Sequence, residues 1–366
     1  MKLPYWIIAL ALVACSCKKS NPPVNIITDT THADTSNLVH LPLRGGDLTI
    51  LPPIEALSGQ FFDSTSPRQC MDIMQEFGCN IIRVGIWNHA QDGHLDLDHV
   101  LLLCKRINQL GMQIMLDFHY SDTAADASRQ LPPAAWAGLS FVALKDSVQT
   151  YTQRILTALK DQNTLPSIVQ IGNEIDNGLL WGTGRISGPQ DANWNNFAGL
   201  VKSGISGVKA VDASIPILLH CSQTQNADTF FSNLQQHGVP FDIMGISYYP
   251  WRDTKDLQVL QQRLNQLAAT FNKPVFIAET AYPYSLRNNY DLMPNFITSN
   301  DQLIYPQFFA TQAGQLQFLT ALKKVIAAIP GNMGLGFSYQ NPEWTAYRGE
   351  GSYSSPWENM TLFDFY

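Results

Sequence analysis

From Leu41 onward the chain alternates eight short apolar or β-branched runs with seven longer amphipathic stretches. The apolar runs fall at 42–47, 80–86, 112–118, 167–173, 215–220, 241–247, 274–279 and 333–338. Their continuous apolar character predicts parallel strands buried on both faces. Between them the spacing predicts helices at 67–78, 96–110, 141–161, 190–211, 225–237, 254–271 and 311–329. In 141–161, Val148, Tyr151, Ile155 and Leu159 recur at the three- and four-residue spacing of one buried face. Gly111 after 96–110 is a left-handed cap candidate. Eight strands with seven intervening helices imply an α/β fold closed as a single-domain (β/α)8 TIM barrel spanning 41–366, with an open doubly wound sheet as the alternative. Gly182-Thr183-Gly184 does not make a dinucleotide fingerprint, because Gly188 comes one residue too late.

The first 40 residues obey different rules. Lys2 precedes an apolar stretch, Leu3 to Ala14, too short to span a bilayer but suited to a signal peptide. Leu12-Val13-Ala14-Cys15 resembles a bacterial lipobox, so residues 1–15 are expected to direct export and Cys15 to be lipidated. Cys17 is the poorer candidate, and an ordinary cleaved signal peptide is the plainer reading. Residues 16–40 read as a flexible tether. The expectation is an exported monomer held at the cell surface or periplasmic membrane by lipid alone. The net charge of −7, without a Lys/Arg cluster, argues against a nucleic-acid partner. Cys70, Cys79, Cys104 and Cys221 fall in predicted helices or strands and read as free buried thiols. His89, His94 and His99 are five apart, which puts no pair on one helix face, and no metal or other cofactor is expected.

In a barrel, side chains at the C-terminal ends of the strands converge on one pocket. Those positions hold Arg83 and Trp87, Asp117, His119 and Tyr120, Asn173 and Glu174, Tyr248 and Tyr249, and Glu279. Glutamates after the fourth and seventh strands face each other across such a mouth, the arrangement of a retaining glycosidase. Glu174 reads as the acid/base, its pKa raised by burial and by the second carboxylate. Glu279 reads as the nucleophile, kept ionised by Arg83 and by a Tyr248 hydroxyl. Asn173 is placed to hydrogen-bond a sugar 2-OH. Trp181, Trp251, Trp344 and Trp357 lie in loops after strands, where sugar platforms belong. Taken singly, each residue has a plainer role: a Glu at a strand end is more often a surface or capping residue, a lone His a satisfied core residue, and a lone Trp a cap on the barrel core.

Several blocks carry a resemblance to glycoside hydrolase family 53. They are Asp117-Phe118-His119-Tyr120-Ser121-Asp122, Pro132-Pro133-Ala134-Ala135-Trp136, Gly172-Asn173-Glu174 through Asn177-Gly178-Leu179-Leu180-Trp181, Ser247-Tyr248-Tyr249-Pro250, Glu279-Thr280-Ala281-Tyr282-Pro283, and Trp357-Glu358-Asn359 with Leu362-Phe363-Asp364-Phe365. The resemblance implies a (β/α)8 barrel, retention of configuration, and internal cleavage of β-1,4-galactan in pectic side chains. It assigns Glu174 as acid/base and Glu279 as nucleophile. The chain departs from the family at Gly85, where a second Arg is usual; at Ala124, where a Trp is usual; and at Gln340, where a Trp is usual before Trp344. The calcium loop of some bacterial members is not recognisable in 283–305. Gln340 and Ala124 keep open a second substrate, another or modified β-linked plant glycan. A surface glycan-binding lipoprotein without catalysis is the alternative from another class.

Overall fold

The computed structural model describes residues 41–63, 66–90, 95–188, 193–288, 293–345 and 355–363. The expected signal peptide, Cys15, Cys17, the 16–40 tether, His94, Asp364 and Phe365 lie outside them. Eight parallel strands close in sequence order: β1 Leu43–Asp47, β2 Ile81–Ile86, β3 Gln113–Phe118, β4 Ile168–Ile171, β5 Ile217–Cys221, β6 Ile243–Ser247, β7 Val275–Thr280 and β8 Gly334–Tyr339, with β8 returning to β1. Every apolar run read from the sequence forms one of them, and the open-sheet alternative is excluded by closure. Around the barrel lie α1 Leu51–Ala56, α2 Cys70–Glu76, α3 Leu97–Gln109, α4 Phe141–Asp161, α5 Trp194–Val211, α6 Thr224–Gln236, α7 Leu257–Phe271 and α8 Gln312–Ala327.

The helix ends show what periodicity alone misses. The 67–78 stretch begins later, at Cys70, because Ser66–Arg68 pairs antiparallel with Phe61–Asp63. The 254–271 stretch begins at Leu257, where the Asp256 carboxylate accepts from the Gln258 and Val259 N–H groups. α1 was not expected from a run containing two prolines; Pro52 sits in its first turn, where a missing N–H costs nothing. Positions 190–192 of the 190–211 stretch lie outside the described residues, and α5 is capped by Asn193. Cys70, Cys79, Cys104 and Cys221 are free thiols. Among the described residues no helix is long and apolar enough to cross a membrane.

Side chains inside the barrel are stacked in two chemically distinct layers. The lower is apolar and draws on every strand: Leu43, Ile81, Met115, Ile168, Leu218, Ile243, Phe276 with Ala278, and the partly buried Leu335. Two residues further along several strands the same inward face turns polar, at Arg83, Asp117, Gln170 and His220, all buried. Thus strict period-two alternation converts an apolar floor into a charged mouth. β7 breaks the alternation. Ile246 pairs with Ile277, but Ser247 pairs with Glu279, so one extra residue is inserted beside β6. This bulge brings Glu279 round to the inner face after Ala278.

Candidate active site

Glu174 does not end its strand. β4 stops at Ile171, and Gly172 and Glu174 both take left-handed backbone, with φ of 81° and 47°. Glycine is required at 172: a Cβ there would lie 2.4 Å from Ile175 Cγ2. At Glu174, left-handed backbone in a non-glycine residue costs on the order of 1–3 kcal/mol, a strain sustained by the surrounding packing. The tight turn leaves the Glu174 side chain only 3% exposed. Oxygens of Glu174 and Glu279 and a ring nitrogen of His220 all lie within 4.8 Å of one another. These three are the group among the described residues that could converge on a cation. Both His220 nitrogens already lie in hydrogen bonds, to Asn173 Oδ1 and Ser247 Oγ.

Arg83 is the hub of the charged layer. Its Nη1 lies 2.5 Å from Asp47 Oδ2, and its Nη2 lies 2.8 Å from Asp117 Oδ2 and 3.2 Å from Glu279 Oε1. Nη2 also donates to Asn173 Oδ1 at 2.7 Å, Nε to Gln170 Oε1 at 3.3 Å, and Nη1 to Gln340 Oε1 at 3.4 Å. Burial lowers the Arg83 pKa, but Asp117, Asp47 and Glu279 more than reverse that, so the guanidinium stays charged. Burial raises Asp117, yet Arg83 and then His119 hold it below the usual carboxylate range. With one fixed cation among Asp47, Asp117, Glu279 and Glu174, full ionisation leaves an excess of negative charge in a dry layer. Glu174 takes the consequence: burial first, then Glu279, push it up to about 8. Burial also raises Glu279, against Arg83 and the hydrogen bond from Tyr249. His220 is driven well below the ordinary histidine value by burial and by Arg83, so it is neutral.

One residue of register separates the expected tyrosine from the observed one. Tyr249, not Tyr248, donates its hydroxyl to Glu279 Oε2, at 3.0 Å; Tyr248 donates to the Thr254 carbonyl. Tyr120 also departs from expectation. It has left-handed backbone (φ 48°), stacks on Phe118 and meets Thr152 Oγ1 of α4 at 2.7 Å, outside the barrel wall. Asp117 is fully buried behind Arg83, and His119 joins it at 3.0 Å while its Nδ1 accepts from the Ala125 N–H. Trp87 is half-buried and meets His119 edge-on. Asn173 donates to the Ala125 carbonyl, which fixes its amide. Trp251 and Trp357 extend an aromatic surface from Tyr249, at 5.0 and 5.9 Å between ring centroids. Trp181 is stacked by Arg185 and donates to the Asn177 carbonyl. Trp344 and Gln340 are half-buried in the segment after β8. At Gly85, a Cβ would come within 3.1–3.2 Å of Thr49 and His119, so this barrel has filled the space a larger residue would need.

Asp47, Gln170, His220 and Ser247 were not singled out from the sequence as site residues, and Tyr249 was placed at the mouth without its role. A signal for three of them was available: Asp47, Gln170 and His220 stand four, two and two residues after the apolar floor residue of their strands.

A closed (β/α)8 barrel whose C-terminal mouth joins a guanidinium-bound carboxylate to a proton-retaining one is the working end of a glycoside hydrolase. The chain belongs to Glycosyl hydrolase family 53, whose sequence profile matches residues 43–366. It is 32% identical over 332 residues to an arabinogalactan endo-beta-1,4-galactanase of Cellvibrio japonicus, covering 87% of this chain and 86% of the relative. An endo-beta-1,4-galactanase of Bacillus subtilis is 31% identical, over 82% of this chain and 70% of its own length. Among solved structures, the family 53 catalytic domain of Ignisphaera aggregans superposes with a TM-score of 0.83 at 34% identity, covering 90% of this chain and 94% of that one.

Proposed function

We propose that this enzyme cleaves β-1,4-galactan internally, with retention of configuration, through Glu174 and Glu279. The observation that carries the reading is the pair itself: oxygens within 4.8 Å of each other at the C-terminal end of the barrel, on carboxyls with different surroundings. Retaining enzymes hold their carboxyls about 5–5.5 Å apart, whereas inverting enzymes leave about 6.5–9.5 Å for a water. Glu279, paired with Arg83 and Tyr249, attacks the anomeric carbon. Glu174, still protonated near neutral pH, gives its proton to the departing oxygen. Glu174 then takes a proton from the water that releases the glycosyl-enzyme. The names of the relatives support galactan as substrate. Incubation with a panel of purified β-glycans, with products read by chromatography and their anomeric configuration by NMR, tests the reading. Galactan fragments of several lengths, released first as the β-anomer, are expected; initial α-anomer refutes retention.

Gln340 favours a second reading of the substrate. An amide at the edge of the Arg83 cluster offers hydrogen bonds to a substituted or axial hydroxyl where an indole would offer a platform. On that reading the mechanism stands and another β-linked plant glycan is cleaved faster.

A further inference from the structure

Glu174 ends a line of polar side chains that runs through β6 and β5 to the turn after β4. Glu174 Oε1 lies 2.7 Å from Ser247 Oγ, which lies 2.9 Å from His220 Nε2. The other ring nitrogen, His220 Nδ1, lies 2.8 Å from Asn173 Oδ1. The orientation of the Asn173 amide is fixed, because its oxygen accepts from Arg83 and its nitrogen donates to the Ala125 carbonyl. Oδ1 is therefore an acceptor, and the short contact to it makes Nδ1 the protonated nitrogen of His220. Two donors, Gln170 Nε2 and the Glu174 N–H, also point at Nδ1, at the longer distances of 3.2 and 3.3 Å, and a proton on Nδ1 gives up both bonds for the shorter one to Asn173. Gln170 Nε2 has the Gly172 carbonyl at 3.1 Å as an alternative acceptor. A neutral histidine with its proton on Nδ1 leaves Nε2 as a bare acceptor, and the partner it faces is the Ser247 hydroxyl.

We propose that Ser247 and His220 are positioning residues that keep Glu174 protonated: the Ser247 hydroxyl donates to His220 Nε2 and accepts from the Glu174 acid, and turns to donate to Glu174 only when Glu174 ionises. The proposal rests on Glu174 being the acid. No proton leaves the relay. When Glu174 gives its proton to the departing oxygen, Ser247 rotates, keeps its own hydrogen, and exchanges one acceptor for another. Ionisation of Glu174 thus forfeits the Ser247–His220 hydrogen bond. Other charges bear on the same groups. Glu279 on β7 and Arg252 after β6 act on Glu174; Arg83 on β2, and Asp117 and His119 of β3 and its following residue, act on His220. None of them supplies a partner for Nε2.

His220→Asn keeps an amide donor where Nδ1 stood and deletes the Nε2 side, and Ser247→Ala deletes the hydroxyl. The basic limb of kcat/KM on β-1,4-galactan is measured for wild type, both single variants and the double variant, with melting curves as the check on folding. His220→Asn frees Ser247 to donate to the carboxylate, so the limb is expected to fall by roughly half to one pH unit. Ser247→Ala removes both arrangements at once and is expected to leave the limb within about 0.3 unit. In the Ser247→Ala background, His220→Asn is expected to add nothing. A limb that rises in His220→Asn, or an equal fall in both backgrounds, overturns the proposal. Nitrogen-15 NMR of histidine-labelled wild-type protein reads the tautomer without any variant: proton on Nδ1 is expected, and proton on Nε2 overturns the proposal. Should His220→Asn not fold, the tautomer and the Ser247→Ala limb decide, since a dedicated Ser247 donor predicts a rise of about one unit. A wild-type protein inactive on every glycan would sink the functional reading, while the tautomer would still be measured.

Discussion

Replacing Tyr249 by Phe removes one hydroxyl and leaves the ring. The ring keeps its contacts with Trp251 and Trp357, so any sugar platform built on it survives. The hydroxyl is buried and donates to Glu279 Oε2 at 3.0 Å. A hydrogen bond to a charged group contributes about 1.5–3 kcal/mol, which converts to roughly one to two pKa units. The sign follows from the donor: the bond favours the ionised carboxylate, so its loss raises the Glu279 pKa. Burial already raises that pKa against Arg83, and the variant shifts the balance further. The acid limb of kcat/KM, which reports the nucleophile in the free enzyme, is expected to move up by about one to two units. Well below the limb this is a loss of about 10- to 100-fold; on the plateau the change is small. Because the two glutamates titrate as a pair, the quantity to compare is the lower macroscopic pKa. Tyr248→Phe is the control. Its hydroxyl donates to the Thr254 carbonyl, so it is expected to cost about 0.5–1.5 kcal/mol of stability and leave the limb in place. An acid limb unmoved in Tyr249→Phe, or shifted equally in both variants, would refute this account of how Glu279 is held.

Three further outcomes are expected. Glu174→Gln should gain stability relative to wild type as pH rises: the Glu174 pKa is raised in the folded state, so its contribution is present at low pH and is lost between the ordinary glutamate range and about 8. The gap in melting temperature should be near zero at about pH 4 and widen steadily until about pH 8; a gap independent of pH contradicts it. Gln340→Trp should improve turnover of short unsubstituted β-1,4-galacto-oligosaccharides, by about the 1–3 kcal/mol that stacking on an aromatic ring contributes. A variant worse at every chain length, with the parent faster on a different glycan, transfers the case to the second substrate. Cys15→Ser should release the protein from the membrane fraction or leave it unprocessed; unchanged partitioning and mass point to Cys17 or to no lipid.

The barrel was legible because its determinants are local. Apolar strands and amphipathic helices announce themselves in a handful of residues, and Gly111, with φ of 70°, follows α3 where the pattern ended. Glu174 and Glu279 were legible because an acid after an apolar run is unusual, and the run fixes which end of the barrel it reaches. Side-chain direction was less accessible. Tyr248 and Tyr249 both follow β6, and composition cannot say which faces inward; the β6–β7 register shift that brings Glu279 opposite Ser247 is set by pairing between strands. Tyr120 was misplaced for the same reason, since its left-handed backbone turns it toward α4. His220 and Ser247 were overlooked because one histidine or serine in an apolar strand looks like a tolerated core residue until its neighbours are known.

On the proposed assignment, those neighbours also explain why the acid and the nucleophile are not interchangeable. Both glutamates are buried, and burial alone raises both. The difference lies in where the buried guanidinium of Arg83 sits. Period-two alternation puts Arg83 in the polar layer directly above the apolar floor, beside Asp47 and Asp117, and the β7 bulge brings Glu279 within 3.2 Å of it. Glu174 arrives instead on a strained turn above β4, where its near partners are a serine hydroxyl and a distant backbone N–H. A site with this excess of carboxyls must keep a proton, and the group farthest from a matching cation keeps it. Exchanging the two roles would require moving the guanidinium, and Arg83 is held by three carboxylates and three amide oxygens. The difference in surroundings on which the proposed division of labour between Glu174 and Glu279 rests is therefore built into the packing of the barrel interior.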